Sequence, residues 1–247
     1  MEIILKENEK IEDLQCKGLR IIQNKKWFCF GMDAVLLTNY CDIRKDSKIV
    51  DLGTGTGIIP ILLSGKRNYS KAYGIEIQPE VAEMAERSVR LNNLQDKIHI
   101  LNIDLKDTLN YLEPNSFDAV ISNPPYMLPN SGLINPEDKK AISRHELKCT
   151  LEDVVKIASK LLKPQGRFYM VHRPDRLADI FWYLREYRLE PKQIRFVHPS
   201  VSKKPNLFLI RASKGGKPEL KFDPPLYIYD DEGNYTDEVI RIYGTHL

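Results

Sequence analysis

Asn123-Pro124-Pro125-Tyr126 is the stretch of this 247-residue chain with the clearest chemical meaning. It follows Phe117-Asp118-Ala119-Val120-Ile121-Ser122, an apolar run that reads as a buried strand. Two adjacent prolines cannot continue a central strand, so the strand ends there. The chain then leaves on a stiff backbone that presents an amide, a carbonyl and an aromatic ring at the edge where open α/β sheets bind ligands. That set suits the activation of a planar amino nitrogen, whose lone pair is delocalised into its ring or carbonyl and is a poor nucleophile. The Asn123 side-chain oxygen and the Pro124 carbonyl each accept one N–H bond and localise the lone pair, while Tyr126 stacks on the flat group. Pro125 belongs to the same catalytic stretch, and no general base is required. An Asn-Pro turn without function has the same local sequence.

A second motif weighs against that plainer reading. Asp51-Leu52-Gly53-Thr54-Gly55-Thr56-Gly57 lies between Lys48-Ile49-Val50 and Ile58-Ile59-Pro60-Ile61-Leu62-Leu63, a sequence of strand, glycine turn and helix. Glycines let the backbone turn tightly and approach a ligand, and the helix behind them offers unpaired N–H groups. The spacing is G-x-G-x-G, which differs from the G-x-G-x-x-G of dinucleotide folds. A second strand, Ala72 to Ile77, carries Glu76, 23 residues beyond Gly53. A carboxylate at that strand end, with Ile77 beside it, accepts the ribose hydroxyls of an adenosyl group. A third strand, Lys97 to Asn102, runs into Ile103-Asp104-Leu105, where Asp104 between apolar neighbours is placed to take an adenine amino group. Each acid alone reads more often as a solvated strand end; their order is what gives them weight.

Taken together, residues 51–57, Glu76, Asp104 and Asn123 to Tyr126 resemble the S-adenosylmethionine-dependent methyltransferases that modify amino nitrogens, over about residues 28–172. Ahead of the glycine loop, Phe30-Gly31-Met32-Asp33-Ala34-Val35-Leu36-Leu37 is similar to the bacterial valine-tRNA adenine-N6 methyltransferases, which modify the adenine just 3′ of the anticodon, position 37. The resemblance implies a Rossmann-like class I methyltransferase fold of the α/β class. It would have a mostly parallel seven-stranded sheet, an antiparallel C-terminal strand and a small N-terminal hairpin-helix addition. It implies S-adenosylmethionine as cofactor. Asp51, Gly53, Thr54, Gly55, Gly57, Glu76, Ile77, Asp104 and Asn123 would line the cofactor site, with Phe30, Gly31 and Asp33 near the methyl group. Asp33 also reads as the N-cap of an apolar helix.

The elements that must position these residues follow from pattern. Residues 48–122 alternate strand and helix, which requires crossover helices, a parallel sheet and right-handed connections. Gln78-Pro79-Glu80 opens a helix whose Val81, Met84, Ala85 and Val89 share one face, and Asn92-Asn93 ends it. Thr150-Leu151-Glu152-Asp153 opens another, with a cap, first-turn acids and a stripe of Leu151, Val154, Val155, Ala158, Leu161 and Leu162. Lys163 to Gly166 ends that helix, Arg167 to His172 reads as a strand and about Asp175 to Tyr187 as a helix. Gln193 to His198 and Asn206 to Arg211 are joined by Pro199 to Pro205, too short for a crossover helix, so those two strands should be antiparallel.

Composition sets the outer bounds. With 42% apolar and 29% charged residues the chain reads as one globular domain over 1–247: an extension over 1–45, a core over 46–215 and a C-terminal extension over 216–247. It has no stretch of 18 uncharged apolar residues, and acids sit where a signal peptide wants bases, so a cytoplasmic protein is expected. Cysteines 16, 29, 41 and 149 have neither C-x-x-C spacing nor paired histidines, which points to reduced thiols, mostly in the core, and to no metal site. Gly18 to Gln23 and Lys26 to Phe30 flank Asn24-Lys25 and suggest a hairpin, either a lid over the cofactor cleft or a cap on the sheet edge.

Charge distribution suggests the partner. Residues 127–148 form a long polar segment directly after the catalytic stretch, where Lys139, Lys140 and Arg144 would meet phosphates. His145 lacks a nucleophile partner and reads as a binding or surface histidine. Net charge is only +3, but residues 191–221 carry eight Lys/Arg against one acid, with Lys203-Lys204 the pair of most interest, and residues 222–247 carry six acids. A basic hairpin beside the catalytic edge attracts a polyanion, though protection of an edge strand explains the same lysines. The combined expectation is methyl transfer to adenine N6 in structured RNA, most simply tRNA. Protein glutamine N5-methylation, methylation of ribosomal RNA or DNA, and non-catalytic RNA binding are the alternatives.

Overall fold

The computed structural model describes residues 4–24, 31–126 and 149–244. Phe30, Lys139, Lys140, Arg144 and His145 lie outside the described residues, as does the segment Lys26 to Phe30 expected as a hairpin strand.

The strands that read as continuous apolar runs form the middle of the sheet, as parallel strands covered on both faces must. Strands β3 (Lys48–Leu52), β4 (Lys71–Glu76), β5 (Ile98–Asn102), β6 (Phe117–Ser122) and β7 (Leu162–His172) are parallel to one another. Strand β9 (Leu207–Lys214) runs antiparallel to both β7 and β8 (Leu189–His198), as the short connection required. The order β8-β9-β7-β6-β3-β4-β5 is the expected seven-stranded sheet. Two further two-residue strands, β10 (Lys221–Phe222) and β11 (Leu226–Tyr227), pair in parallel with β8 and extend it to nine. They belong to the C-terminal extension, whose Pro224-Pro225 breaks the run into two pieces.

Helices α2 (Ile58–Lys66), α3 (Pro79–Leu91), α4 (Leu151–Leu161) and α5 (Leu177–Glu186) connect the strands. Helix α4 starts on a capping box: Thr150 Oγ1 accepts from the Asp153 backbone N–H at 3.2 Å, and the Asp153 carboxylate accepts from the Thr150 N–H at 3.0 Å. It passes directly into β7 at Leu162, so Lys163 to Gly166, expected as a stop, belongs to the strand. Burial falls into two clusters on opposite faces of the sheet, one including Leu36, Ile61 and Tyr169, the other Val155, Phe168 and Phe208.

The described N-terminal hairpin lies upstream of the expected one. Arg20–Asn24 (β2) pairs with the upstream strand Glu9–Asp13 (β1). The two are joined through Gln15, Lys17 and Gly18, all at positive φ, so among the described residues β2 takes its partner from upstream, while Lys25 and the strand expected over Lys26 to Phe30 lie outside them. The hairpin packs on α3: the Ile22 N–H donates to Ser88 Oγ at 3.0 Å, and Arg87, which also pairs with Glu83, reaches the Glu9 carboxylate at 2.5 Å. Among the described residues it is helix α1 (Met32–Tyr40) that reaches the Asn123 to Tyr126 stretch. At the other end of the chain, α6 (Asp237–Tyr243) packs against α1. Of the three described cysteines only Cys41 is buried; Cys16 and Cys149 are half-buried free thiols.

Candidate active site

Parallel strands β3, β4, β5 and β6 end together, and their C-terminal ends carry the residues singled out above. The glycine loop after β3 is built from three left-handed glycines, with φ of 75° at Gly53, 57° at Gly55 and 82° at Gly57. A side chain at Gly53 or Gly55 would meet no atom within 4 Å, so their open face is available to a ligand. The Gly53 and Thr54 N–H groups both donate to the Ile75 carbonyl, at 3.0 and 2.9 Å, fixing the loop to β4. Asp51 is buried at the end of β3 and orients the loop by accepting from Thr54 Oγ1 at 2.7 Å. Its other oxygen has no partner among the described residues. Burial, reinforced by nearby Glu76 and opposed by the Thr54 bond, pushes its carboxyl up to about 7.

Glu76, at the end of β4, holds one loop on each oxygen: Gly55 N–H donates to Oε2 at 3.1 Å and Gln78 N–H to Oε1 at 2.9 Å. Each carboxylate oxygen keeps a further lone pair for a ligand hydroxyl. Asp104, after β5, caps the following 3₁₀ turn by accepting from Lys106 N–H at 2.9 Å. Between these acids lies a cavity of about 290 Å³ lined by Gly53, Glu76, Ile77, Ile103, Asp104 and Leu105, and closed on the far side by Pro124, Pro125 and the start of α4. Carboxylate acceptors flanking apolar Ile77, Ile103 and Leu105 match the donating hydroxyls, the amino group and the flat ring of an adenosine, so the residues present fit an adenosyl cofactor.

The Asn123 to Tyr126 stretch follows β6 on the same edge. Ser122 Oγ donates to the Leu52 carbonyl at 2.8 Å, tying its start to the end of β3. The Tyr126 hydroxyl lies 2.6 Å from Asn123 Oδ1 and 2.6 Å from Asp33 Oδ2. Asp33 therefore stands beside the Asn123 to Tyr126 stretch and is not the helix cap: that position is Gly31. The Tyr126 hydroxyl is held protonated well above the usual tyrosine range, first by burial and then by Asp33. Its ring meets that of His172 edge to face at 5.3 Å, with the Arg173 guanidinium 5.8 Å from its centre.

Three neighbours of the site carry no motif that would have marked them. His172 ends β7 and lines the cavity; its Nδ1 accepts from the Arg173 N–H at 2.8 Å, so the proton of the neutral ring is on Nε2, and burial lowers its pKa to about 4. Cys149 also lines the cavity, but burial together with Asp153 and Asp104 pushes its thiol up to about 12, which removes it as a nucleophile near neutral pH. Gly74 leaves the space Thr54 occupies: a side chain there would stand 2.8 Å from Thr54 Cγ2. Lys203 and Lys204 lie in the exposed loop after β8. Since β8 is parallel to β7, that loop is on the catalytic edge of the sheet, two strands beyond β7.

Strand order, glycine loop and the acids at successive strand ends define a class I methyltransferase with a Rossmann-like fold. The chain belongs to the methyltransferase small domain family, which matches residues 31–179. It is 33% identical over 220 residues to the tRNA1(Val) (adenine(37)-N6)-methyltransferase of Porphyromonas gingivalis, covering 86% of each chain. With the protein of the same name from Bacteroides thetaiotaomicron it shares 28% over 239 residues, 94% of this chain and 97% of that one. Among solved structures, a predicted O-methyltransferase from Agrobacterium tumefaciens has the same fold, with a TM-score of 0.69, 24% identity and coverage of 86% of this chain and 95% of that one.

Proposed function

We propose that this chain is a cytoplasmic enzyme that methylates the exocyclic N6 of adenine in tRNA, at position 37 of a valine tRNA, with S-adenosylmethionine as cofactor. The observation that carries the reading is one of placement. The cavity flanked by Glu76 and Asp104 and the Asn123-Pro124-Pro125-Tyr126 stretch share one sheet edge, with Pro124 and Pro125 in the cavity wall. The relatives of the same length that carry that activity in their names point to the same acceptor.

When bound, S-adenosylmethionine supplies an electrophilic methyl group on a sulfonium sulfur. The protein's part is to bind, align and polarise. Glu76 holds the ribose hydroxyls and Asp104 the adenine amino group, while Asp51 and Thr54 keep the glycine loop in shape around Gly53, Gly55 and Gly57. Asn123 Oδ1 and the Pro124 carbonyl would accept the two N–H bonds of the target amine and localise its lone pair for attack, one of those two protons being lost to solvent once the amine is methylated. The Tyr126 ring stacks on the target base, which leaves its own stack to reach the site. His172, with its lowered pKa and its Nδ1 already bonded to the Arg173 N–H, is a weak base, and Cys149 with its raised pKa stays a thiol, in keeping with a reaction driven by proximity and alignment.

Transfer of radiolabelled methyl from S-adenosylmethionine into total tRNA from a strain lacking the protein, followed by nucleoside analysis, tests the reading. N6-methyladenosine is the expected product, and Asn123→Ala should abolish it while leaving cofactor binding by calorimetry nearly unchanged. Unlabelled tRNA with intact cofactor binding would refute the acceptor and favour a protein glutamine. Retained turnover in Asn123→Ala would refute the role of the amide.

A further inference from the structure

The contacts of Tyr126 pose a proton-counting problem. Its hydroxyl has one proton, yet it lies 2.6 Å from two oxygens placed as acceptors, Asp33 Oδ2 and Asn123 Oδ1. One of these contacts must be a donor. Asp33 is committed as an acceptor elsewhere, because its Oδ1 also accepts the Ala34 N–H, at 2.9 Å, in the first turn of α1, where the helix favours a negative charge. Asn123 has the alternative: turning its amide by 180° exchanges oxygen for nitrogen at almost no steric cost, and the two atoms are assigned from their bonding partners in any case. The consistent arrangement has Tyr126 Oη–H donating to Asp33 and Asn123 Nδ2–H donating to Tyr126 Oη. The Asn123 Oδ1 then faces away from Tyr126.

We infer that Asp33 is a positioning residue for the reaction: by taking the Tyr126 proton it forces the Asn123 amide to present its oxygen, not its nitrogen, to the target amine. An amide turned the other way would offer donors to a group that must itself donate, and the lone pair of the amine would not be localised. The role extends the proposed function and rests on its reading of Asn123. Gly31 supports the same arrangement. A side chain at that position would stand 2.8 Å from Asp33 Oδ1, at an ordinary φ of −99°, so the glycine there serves the carboxylate's space and not a backbone turn. The N-terminal helix thereby sets the chemistry of a loop 93 residues later.

The test is a double-mutant cycle between Asp33→Ala and Tyr126→Phe, with kcat, cofactor Kd by calorimetry and thermal stability measured for each variant. Asp33→Ala frees the Tyr126 proton to bind Asn123 Oδ1 and should lower kcat by about 100-fold, the scale of a misaligned reacting group, with cofactor Kd within about twofold of wild type. In the Tyr126→Phe background the same substitution should cost less than about twofold more, because the hydroxyl through which Asp33 acts is gone. Asp33→Asn, which keeps an acceptor for the hydroxyl, should recover most of the rate. Multiplicative losses in the cycle, or a cofactor Kd that rises in step with the fall in kcat, would overturn the inference; the second result would make Asp33 a cofactor ligand. Should Asp33→Ala not fold, Asp33→Ser, polar but too short to reach Tyr126, gives the same cycle. Asn123→Ala measured alongside separates the two levels. If Asn123 proves essential while the cycle is multiplicative, only the role of Asp33 fails, whereas an active Asn123→Ala removes the reading beneath it.

Discussion

Asp51→Asn should stabilise the protein against unfolding, and by an amount that depends on pH. Asp51 is fully buried, with one oxygen held by Thr54 and the other without a partner among the described residues, and its carboxyl sits at about 7 against an ordinary 3.8. Because the folded-state pKa is raised, the neutral acid is the form the fold prefers. Its relative stability is intact below about pH 4 and is lost as pH rises through 7. By linkage the charge costs about 2 kcal/mol at pH 5 and about 4 kcal/mol at pH 8. Asparagine keeps the acceptor for Thr54 and removes the charge, but buries an NH₂ whose own unmet bond costs about 1–3 kcal/mol at every pH. The net gain at pH 8 is thus about 1–3 kcal/mol, and the variant's advantage over wild type should grow by about 2–3 kcal/mol between pH 5 and pH 8. Urea unfolding at the two pH values measures it, with the slope checked for constancy. A difference between the two proteins that does not vary with pH would refute the reasoning, whatever its sign.

Two further substitutions test the site's supports. Gly74→Ala would put a methyl 2.8 and 2.9 Å from the two outer Thr54 atoms and 2.9 Å from Ile100 Cδ1. It should cost about 1–3 kcal/mol by overpacking and, by pushing Thr54 off Asp51, weaken cofactor binding in calorimetry; unchanged affinity would show that the loop does not depend on that bond. Replacing Lys203 and Lys204 together by alanine should weaken tRNA binding and make the salt dependence of log K shallower by about two phosphate contacts, with kcat at saturating tRNA unchanged. An unaltered slope would place the RNA elsewhere.

The sheet was legible in the sequence because each parallel strand is buried on both faces and reads as an unbroken apolar run, with a glycine turn, an acid or a proline pair marking where it stops. The antiparallel pairing of β8 and β9 followed from a connection too short to hold a helix. The pairing of Arg20–Asn24 with Glu9–Asp13 did not follow, because it is supported by contacts with Ser88 and Arg87 on α3, far away in sequence. The two added strands, each of two residues, are below the length at which any periodicity exists. At the site, Glu76, Asp104 and Asn123 declared themselves by position at strand ends. His172 and Cys149 did not, since lining a cavity is a property of the assembled fold. Gly74 looked like an ordinary strand residue, and its use becomes visible only once Thr54 is found above it. The function of Asp33 depends on one proton shared between side chains 93 residues apart in sequence.

Charge shows how far a count along the chain can mislead. Residues 191–221 carry a local excess of +7, yet half of those cations have structural work. Arg195 makes a bidentate pair with Glu238 of α6 at 2.8 Å on both nitrogens, which joins the C-terminal helix to β8. Lys214 is drawn in among Asn115, the Ser159 carbonyl and the Leu162 carbonyl at 2.6 to 2.8 Å, and partial burial lowers its pKa. Lys192 and Lys221 both lie within 4 Å of Glu219, the lone acid of the stretch. Lys203 and Lys204 differ from these: both are exposed, and among the described residues neither has an ion pair. They sit in the loop between β8 and β9, at the edge of the sheet where Asn123 and Glu76 also lie, and the His198 ring fixes that loop by donating to the Lys203 carbonyl at 2.8 Å. Lys203 and Lys204 thus put unneutralised charge on the sheet edge that carries Glu76 and Asn123, and that position, more than the total of +7, is what favours a nucleic-acid acceptor over a protein one.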